Sequence, residues 1–425
     1  MRKVKFHTLG CKVNLYETEA MKSLFENAGY EVTDDENADI FVINTCTVTS
    51  MGDRKSRQMI RRAKKNNPDS IVAVVGCYSQ ISPGEVEKIS DVDIILGTTD
   101  RTKIVEYVEN FNGHKTSYVK SEIPKVFENL KSTHQSRTRA TIKIQDGCRN
   151  FCTYCIIPFA RGPIRSKTVE STIEEVRELA KNGYREVVLV GINLAMYGAD
   201  IGSDLLEIIE AVCSVDGIER VRLGSLEPNL ITDEFIERTK DLKNFCHHFH
   251  LALQSGSSGV LERMKRRYTA DEYLNAAQML KNAFPDCALT TDVMVGFPQE
   301  TDEEFEESCN TVIKAGFSSI HVFPYSRRKG TAADKMDGQV SENTKKLRTE
   351  KMIEIGRNLK KEYFEKYIGS KVSVLVERKI DENTFEGHTA NFIQVIAGGN
   401  AEEGCFADVI LKGYSDDCMT GEMVW

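Results

Sequence analysis

The sequence predicts an α/β protein with three folded units: an N-terminal doubly wound parallel-sheet domain, a central partial (βα) barrel and a small C-terminal antiparallel β-barrel. Three observations support this fold class. Apolar runs alternate with helical patterns over residues 4–97 and again over residues 140–323, and short alternating runs separated by Gly, Asn and Asp fill the chain after residue 369. Strand–helix alternation is typical of parallel sheets, whereas closely spaced short strands are typical of a small barrel.

The composition limits what the chain can be. Its 425 residues, 40% of them apolar, suffice for about three domains of roughly 150 residues each. The net charge of -8 excludes a general positive field, so any nucleic-acid site has to be a local patch. No apolar run approaches the roughly 18 residues that a membrane span needs, which predicts a cytoplasmic protein without membrane contact. In a reducing compartment the twelve cysteines are expected to be core residues, metal ligands or catalysts, not disulfides.

The first domain is predicted to span residues 1–112. Its strands are expected at residues 4–9, 39–43, 71–75 and 93–96, and the intervening helices include residues 14–27 and a basic helix at residues 53–65. This order predicts a doubly wound sheet. The polar and weakly periodic stretch 113–139 is predicted to be a linker.

The second domain is predicted to span residues 140–367. Six strand candidates, each followed by a helical pattern, predict a full or partial βα barrel, and they occupy residues 141–144, 186–190, 221–223, 248–253, 289–295 and 320–323. Capping-box patterns at Ser171 to Glu174 and Thr301 to Glu304 predict two helix starts. A long charged helix at residues 341–367 ends the domain. Residues 368–425 form the third domain, with strands expected at residues 372–376, 392–395 and 407–411.

Three cysteines follow the first predicted barrel strand, where barrels of this kind place their active sites. Cys148, Cys152 and Cys155 lie within eight residues of one another, so they can surround one metal centre. A structural zinc site would need a fourth ligand, and no His occurs before the next cysteine, Cys213. A 4Fe-4S cluster held by three thiolates leaves one iron open for catalysis, and we favour this interpretation over zinc or chance.

A second set of cysteines is dispersed along the first domain. Cys11, Cys46 and Cys77 each end an apolar run, at spacings that match one βαβ crossover. Because parallel strands end at the same edge of a sheet, we expect their thiols to meet there and to hold a second three-thiolate cluster. The alternative is three ordinary buried cysteines. The remaining six are predicted to be core residues or to have no role: Cys213, Cys246, Cys287, Cys309, Cys405 and Cys418.

The spacing Cys148-x3-Cys152-x2-Cys155, with the aromatic Tyr154 before the last cysteine, resembles the radical S-adenosylmethionine superfamily. The additional triad Cys11, Cys46 and Cys77 narrows the resemblance to the methylthiotransferases, whose three domains include a C-terminal TRAM barrel. Residues 9–19, 145–158 and 325–331 resemble the branch that acts on threonylcarbamoyladenosine in tRNA.

The resemblance implies two 4Fe-4S clusters and S-adenosyl-L-methionine as cofactors. The open iron of the barrel cluster would bind S-adenosylmethionine, and reductive cleavage would give a radical that removes hydrogen from C2 of the modified adenosine at position 37. The N-terminal cluster would hold the inserted sulfur, which a second S-adenosylmethionine methylates. The implied partners are the anticodon stem-loop of tRNA and an electron donor such as a flavodoxin or ferredoxin.

Two further sets of residues are given roles by position. Polar and glycine residues at the predicted strand ends, together with Tyr154, are expected to contact S-adenosylmethionine: Gly191, Asn193, Ser225, Glu227, Gln254, Gly296 and Tyr325. Turn caps are the alternative role for them. Residues 54–65 contain seven basic residues and no acid, so we expect an RNA-binding patch that a solvated helix face could also explain. The arginines assigned to it are Arg54, Arg57, Arg61, Arg62, Arg161, Arg165, Arg327 and Arg328.

Two alternative functions stay open at this point. A related branch modifies an aspartate of a ribosomal protein, and the stretch from Gly369 to the end, with four Lys or Arg against ten Asp or Glu, suits a basic protein partner. A non-catalytic iron–sulfur scaffold is the other alternative. It is disfavoured, because a scaffold gains nothing from incomplete iron coordination. We favour the tRNA enzyme, because the pattern from Gly10 to Asn14 and the basic segment are more specific than the charge of the C-terminal domain.

Overall fold

The computed structural model describes residues 1–48 and 50–424, and it confirms the predicted fold class. The N-terminal sheet is fully parallel, with the order β2-β1-β3-β4-β5-β6. Its strands are β1 (Lys3–Thr8), β2 (Glu31–Val32), β3 (Ile40–Thr45), β4 (Ile71–Gly76), β5 (Ile94–Ile95) and β6 (Thr116–Ser117). Its helices are α1 (Lys12–Asn27), α2 (Ser50–Asn66), α3 (Cys77–Ile81), α4 (Pro83–Glu87) and α5 (Ile104–Glu109).

The sheet is covered on both faces, as a doubly wound fold requires. One core lies against α1 and α5 and includes Met21, Phe25 and Ile104. The core of the opposite face lies against α2 and includes Ile60 and Ala63, the apolar stripe of the basic helix. Every residue of β3 and β4 is buried, which explains why these strands are continuous apolar runs.

The stretch predicted as a linker is bound to both neighbouring domains. Thr116–Ser117 adds an edge strand to the N-terminal sheet by pairing with β5. Further along, the backbone N–H of Ser132 donates to Glu175 at 2.9 Å, and that of Ser136 donates to Glu19 at 3.0 Å. The polar residues that suggested a linker are therefore hydrogen-bonding partners between two packed domains.

The central domain is a partial barrel of parallel strands. Its strands are β7 (Arg139–Lys143), β10 (Glu186–Val190), β11 (Arg220–Leu223), β12 (Ser225–Leu226), β13 (His248–Leu251), β14 (Ala288–Val295) and β15 (Ser319–Pro324), with a small antiparallel pair β8 (Gln145–Asp146) and β9 (Arg165–Ser166). Its helices are α6 (Ile157–Arg161), α7 (Val169–Lys181), α8 (Leu205–Cys213), α9 (Asp233–Thr239), α10 (Ser258–Arg263), α11 (Ala270–Ala283), α12 (Asp302–Ala315) and α13 (Glu342–Glu365).

The barrel is open between its first and last strands. The strands form two sheets, β11-β10-β7 and β12-β13-β14-β15, which meet where β11 is followed by β12. In the described part of the chain, β7 and β15 do not pair with each other. Helix α1 of the N-terminal domain packs against β7, and α13 packs against β15. The N-terminal domain therefore lies beside the opening of the barrel.

One of the two predicted helix caps is confirmed and the other is wrong. Thr301 and Glu304 form a capping box at the start of α12. At α7 the cap is Thr168, whose side chain accepts from the backbone N–H of Ser171, so Ser171 already lies inside the helix. Thr269 and Glu272 form a further capping box at the start of α11.

The C-terminal domain is a closed barrel of five strands with the order β16-β17-β18-β20-β19. Its strands are β16 (Lys371–Asp381), β17 (Thr384–Thr389), β18 (Gln394–Gly398), β19 (Phe406–Tyr414) and β20 (Met419–Met423). The predicted antiparallel pairing holds except between β18 and β20, which are parallel. A closed ring with an odd number of strands needs one such pair, because directions cannot alternate all the way round.

Two arginines on β11 join this barrel to the central domain. Arg220 donates to the carbonyl of Ser373 at 2.7 Å and to that of His388 at 3.0 Å. Arg222 donates to the carbonyl of Ala390 at 2.9 Å. None of the helices in the described part of the chain combines the length and the hydrophobicity needed to cross a membrane.

A buried cluster of charges joins the first two domains. The carboxylate of Glu17, on α1, accepts from Arg101 at 2.5 Å, from Lys143 at 2.9 Å and from Arg161 at 2.5 Å. Asp146 contacts Lys143 and Arg161 at 3.3 and 3.4 Å. Burial by itself raises the pKa of Glu17, but the three cations outweigh it and lower the pKa to about 2.

Replacement of Glu17 by Gln tests this cluster. The change leaves three buried cations without their central carboxylate, a loss for which about 3–5 kcal/mol is typical. We expect a clear drop in the urea midpoint at pH 7, followed by circular dichroism. Since folding lowers the pKa of Glu17, its contribution is complete above pH 4.5 and is lost as the pH falls towards 2, so the variant should lose less stability over that range. Glu31→Gln, at an exposed site on β2, is the control, and equal midpoints for the two variants would contradict the central role of Glu17.

Candidate active site

The three cysteines of the N-terminal domain lie at the carboxyl ends of adjacent strands. Cys11 comes shortly after β1, Cys46 follows β3 directly, and Cys77 follows β4 as the first residue of α3. The strands pair in the order β1-β3-β4, so the three loops are neighbours at one edge of the sheet. A Cβ added to Gly10, which has a φ of 108°, would lie 2.9 Å from the Cβ of Cys46, so only glycine fits where these loops approach each other.

Arg161 of the central domain reaches into this group. Its Nε donates to the Sγ of Cys77 at 3.2 Å, while its other nitrogens bind Glu17 and Asn14. Burial raises the pKa of Cys77 to about 12, and Arg161 opposes that shift. Burial also raises the pKa of Cys46. A ligand thiolate at Cys77 would therefore depend on positive charge from Arg161 and from a bound metal centre.

The barrel cysteines lie on the loop that follows β8. Cys148 accepts from the backbone N–H of Asn150 at 3.4 Å and from the side-chain amide of Asn193 at 3.8 Å. Cys152 accepts from Arg266 at 3.4 Å. Burial raises the pKa of Cys155 to about 12 and also raises that of Cys152, which Arg266 partly offsets. Hydrogen bonds to ligand sulfurs are one of the ways in which a protein tunes an iron–sulfur cluster.

One cavity of about 900 Å³ is lined by cysteines from both domains. Cys11 from the N-terminal domain and the three barrel cysteines line it, and residues of the C-terminal barrel, including His388 and Phe392, form another part of its wall. The described residues contain no group of three His, Cys, Asp or Glu side chains placed to bind a single metal ion. The sulfurs of an iron–sulfur cluster bind different irons, so they stand further apart than the ligands of one ion.

Five of the eight residues predicted to contact S-adenosylmethionine line this cavity. They are Tyr154, Gly191, Asn193, Ser225 and Glu227.

The other three do not line the cavity. Gln254 lies beyond the end of β13, where its backbone N–H donates to the carbonyl of Asp292 at 2.9 Å. A Cβ on Gly296 would collide with the side chain of Lys345. Tyr325 is buried against Phe297.

Three of the arginines predicted to bind RNA are structural, which corrects that prediction. Arg161 is fully buried in the charge cluster, and Arg165 is buried against Asp146 at 3.2 Å. Arg328 is buried and ion-paired with Asp53, in the first turn of α2, so it fastens the basic helix to the barrel. In each case the sequence shows a cation but not the buried carboxylate that neutralises it.

The other five remain accessible to different degrees. Arg54 and Arg61 are exposed on α2, whereas Arg57 is half-buried and donates to the hydroxyl of Tyr78 at 3.1 Å. Arg62 pairs with Glu36 at 3.1 Å and Arg327 with Asp334 at 3.1 Å, both at exposed positions. The accessible positive surface is therefore concentrated on α2.

The sequence analysis missed several polar residues on the inner face of the barrel. His250 and His321 contact the two oxygens of Asp292 at 3.4 and 3.3 Å. The hydrogen bond to Asp292 raises the pKa of His321. A polar residue at every second position of the strand, as in His248 and His250, is the sequence signal for this inner face.

Lys12, next to Cys11, was also missed as a site residue. Its side chain is accessible and lines the cavity. Burial lowers its pKa to about 8, and the positive charges of Arg222 and Arg139 add to the shift. A side chain that lines a cavity can be accessible to solvent and still be largely surrounded by protein, which accounts for both properties of Lys12.

Comparison with known proteins identifies the family. Residues 142–312 match the model of the radical SAM superfamily, and residues 3–97 match that of the uncharacterized protein family UPF0004. The threonylcarbamoyladenosine tRNA methylthiotransferase MtaB of Bacillus subtilis is 44% identical over 418 residues, covering 95% of this chain and 92% of the relative. The MtaB protein of Thermotoga maritima is 37% identical, covering 98% and 96%. The chain belongs to the radical S-adenosylmethionine methylthiotransferase family.

A solved structure supports the fold of this methylthiotransferase. The radical S-adenosylmethionine methyltransferase TsrM of Kitasatospora setae superposes with a TM-score of 0.57 at 13% identity, over 76% of this chain and 73% of that one. Membership of the family confirms the predicted enzyme class and its cofactors, S-adenosylmethionine and two 4Fe-4S clusters. The closed C-terminal barrel agrees with the predicted TRAM domain.

Proposed function

We propose that this methylthiotransferase converts N6-threonylcarbamoyladenosine at position 37 of tRNA into its 2-methylthio derivative. The observation that carries the proposal is the single cavity lined by Cys11 and by all three barrel cysteines. Insertion of sulfur at an unactivated carbon needs a radical source and a sulfur source within reach of the same atom. The names and the identity of the Bacillus and Thermotoga relatives support the choice of substrate.

Each triad is proposed to hold one 4Fe-4S cluster. Cys148, Cys152 and Cys155 supply three thiolates to the first cluster, and Asn193 and Arg266 hydrogen-bond its sulfur ligands. When bound, the clusters and S-adenosylmethionine supply the radical, the sulfur and the methyl group. The residues of the chain provide binding, orientation and a site shielded from water.

The second cluster is proposed to lie on Cys11, Cys46 and Cys77, with Arg161 beside it. The guanidinium is held rigidly by Glu17 and Asn14, so it presents a fixed positive charge to Cys77. In a buried site such a charge stabilises the thiolate form. Tyr154, Gly191, Asn193, Ser225 and Glu227 remain the proposed contacts of S-adenosylmethionine.

The size of the cavity favours a single flipped nucleotide. At about 900 Å³ it lies within the range of ligand pockets, roughly 300–1,000 Å³, and it is too small for a nucleic-acid helix. Enzymes that modify a base take it out of the stack into such a pocket. The anticodon stem-loop would then contact the surface outside, where α2 carries its exposed cations. A cytoplasmic location and an electron donor such as a flavodoxin or ferredoxin are parts of the same proposal.

Single cysteine variants test the proposed division of roles. We expect parent protein reconstituted without oxygen to hold about eight irons, and Cys46→Ala and Cys152→Ala each to hold about four. Cys46→Ala should still cleave S-adenosylmethionine but form no methylthio product, because only the sulfur-carrying site is lost. Cys152→Ala should do neither.

Cys405→Ala, in the C-terminal barrel, is the control and should behave as the parent. Iron analysis and nucleoside mass spectrometry give the readout. Product formation by Cys46→Ala at the parent rate would refute the role proposed for the N-terminal triad.

Charge reversal on α2 tests the proposed RNA surface. The triple change of Arg54, Arg61 and Lys65 to Glu uses exposed residues that form no ion pair with any residue the structure describes. If all three contact phosphates, the slope of log K against log salt should flatten by about two to three units, and tRNA affinity should fall. Cleavage of S-adenosylmethionine without RNA should stay at the parent level.

The control reverses three exposed cations on outer helices, Arg177, Lys181 and Lys314. It carries the same charge change and should keep the parent slope. Unchanged tRNA affinity in the α2 variant would contradict this surface. It would redirect attention to a basic protein partner for the acidic C-terminal domain.

A further inference from the structure

Lys12 is an unpaired cation inside the cavity. It is the first residue of α1 and follows Cys11 directly. Its ammonium forms no hydrogen bond and no ion pair with any residue in the described ranges, although its side chain lines the cavity. A cation that lines a cavity and has no partner among the described residues is placed to bind an anionic ligand there.

Two carboxylates on the barrel strands already have partners. Glu186 accepts from Arg222 at 2.8 Å. Asp292 is shared by His250 and His321, as described above. The wall of the cavity around Lys12 therefore has positive charge that the described residues do not neutralise.

His321 provides a second group at the same place. Asp292 binds its Nδ1, and its side chain is 72% exposed, facing the cavity that it lines. Lys12, His248 and His321 all line this cavity. With Nδ1 occupied, Nε2 of His321 is the ring nitrogen left to meet a ligand.

We propose that Lys12 and His321 bind the carboxylate of the threonylcarbamoyl group and thereby select the substrate base. This inference rests on the proposed function. The N6 substituent ends in a free amino-acid carboxylate, and C6 and C2 of adenine flank the same ring nitrogen. The substituent therefore leaves the base beside the reacting carbon. Lys12 is adjacent to Cys11, which belongs to the triad proposed to deliver sulfur to that carbon.

The methionyl carboxylate of S-adenosylmethionine is a poorer match. It is accompanied by an ammonium group, and a zwitterion calls for both charges. Glu227 and Arg266 offer such a pair beside Cys152, where they contact each other at 2.5 Å. Lys12 and His321 offer positive charge alone, which suits an isolated carboxylate.

The test measures binding of two anticodon stem-loop RNAs, one with threonylcarbamoyladenosine and one with its carboxylate converted to the carboxamide. A charge-assisted hydrogen bond in a buried site contributes enough that the parent protein should prefer the carboxylate RNA by about tenfold or more. Lys12→Gln should lose most of this preference, because only His321 then meets the carboxylate, and Lys12→Arg, which keeps the charge, should retain most of it. His321→Asn should show an intermediate preference. Lys22→Gln, on the same helix outside the cavity, is the control and should match the parent.

Two other readouts separate this inference from the proposed function. Lys12→Gln should cleave S-adenosylmethionine without RNA at the parent rate, and a large loss there would mean that Lys12 serves the cofactor and would overturn the inference. Equal discrimination by parent and Lys12→Gln would also overturn it, while product formation by the parent would leave the proposed function intact. Failure of the parent to modify the carboxylate RNA would refute the proposed function itself.

Discussion

The buried contact between Glu17 and Arg161 holds the architecture of the site together. Arg161 comes from the central domain, Glu17 from the N-terminal domain, and the same guanidinium donates to Cys77. The cluster around them contains four cations, Arg101, Lys143, Arg161 and Arg165, against three carboxylates, Glu17, Asp146 and Glu128. The cations therefore exceed the carboxylates by one, and one of them, Arg161, lies next to the thiol of Cys77. A thiolate at Cys77, as proposed for the N-terminal triad, would balance this charge.

The two sets of cysteines lie in different domains. A sheet edge and a barrel mouth each gather three thiols by simple strand geometry, but neither determines where the other will be. Packing of α1 against β7 brings Cys11 to the opening of the barrel. The charge cluster holds the two elements together, because Lys143 on β7 donates to Glu17 on α1. The shared cavity is thus a property of the interface, and small changes at Glu17 or Arg161 would act on both halves of the chemistry.

The sequence was most informative where a residue's role follows from its position along a strand. The cysteine triads were predictable because strand ends and loop spacing determine their meeting points, and the strands β10, β14 and β15 were placed nearly to the residue. Arg161, Arg165 and Arg328 were misassigned because a cation in sequence looks the same whether it meets solvent or a buried carboxylate. β17 and β20 were missed because Gly, Glu and Thr interrupt their alternation. Lys12 and His321 line the same cavity only because two domains pack together. Contacts between domains do not appear as a periodic pattern in the sequence.

The distribution of charge on the protein suits different surfaces to the phosphate backbone and to the base of an RNA. The chain is acidic overall, and its C-terminal domain is strongly so, yet α2 presents unpaired cations outside the site and Lys12 presents one inside it. Phosphates would be attracted to α2 and repelled by the C-terminal barrel, whose residues border the cavity. An adenine ring carries no net charge, so the acidic residues of the C-terminal barrel do not repel it. On our proposal, its threonylcarbamoyl carboxylate would meet the complementary charge of Lys12 inside the cavity. The electrostatics therefore favour a nucleotide that enters base first, with its backbone held outside along α2.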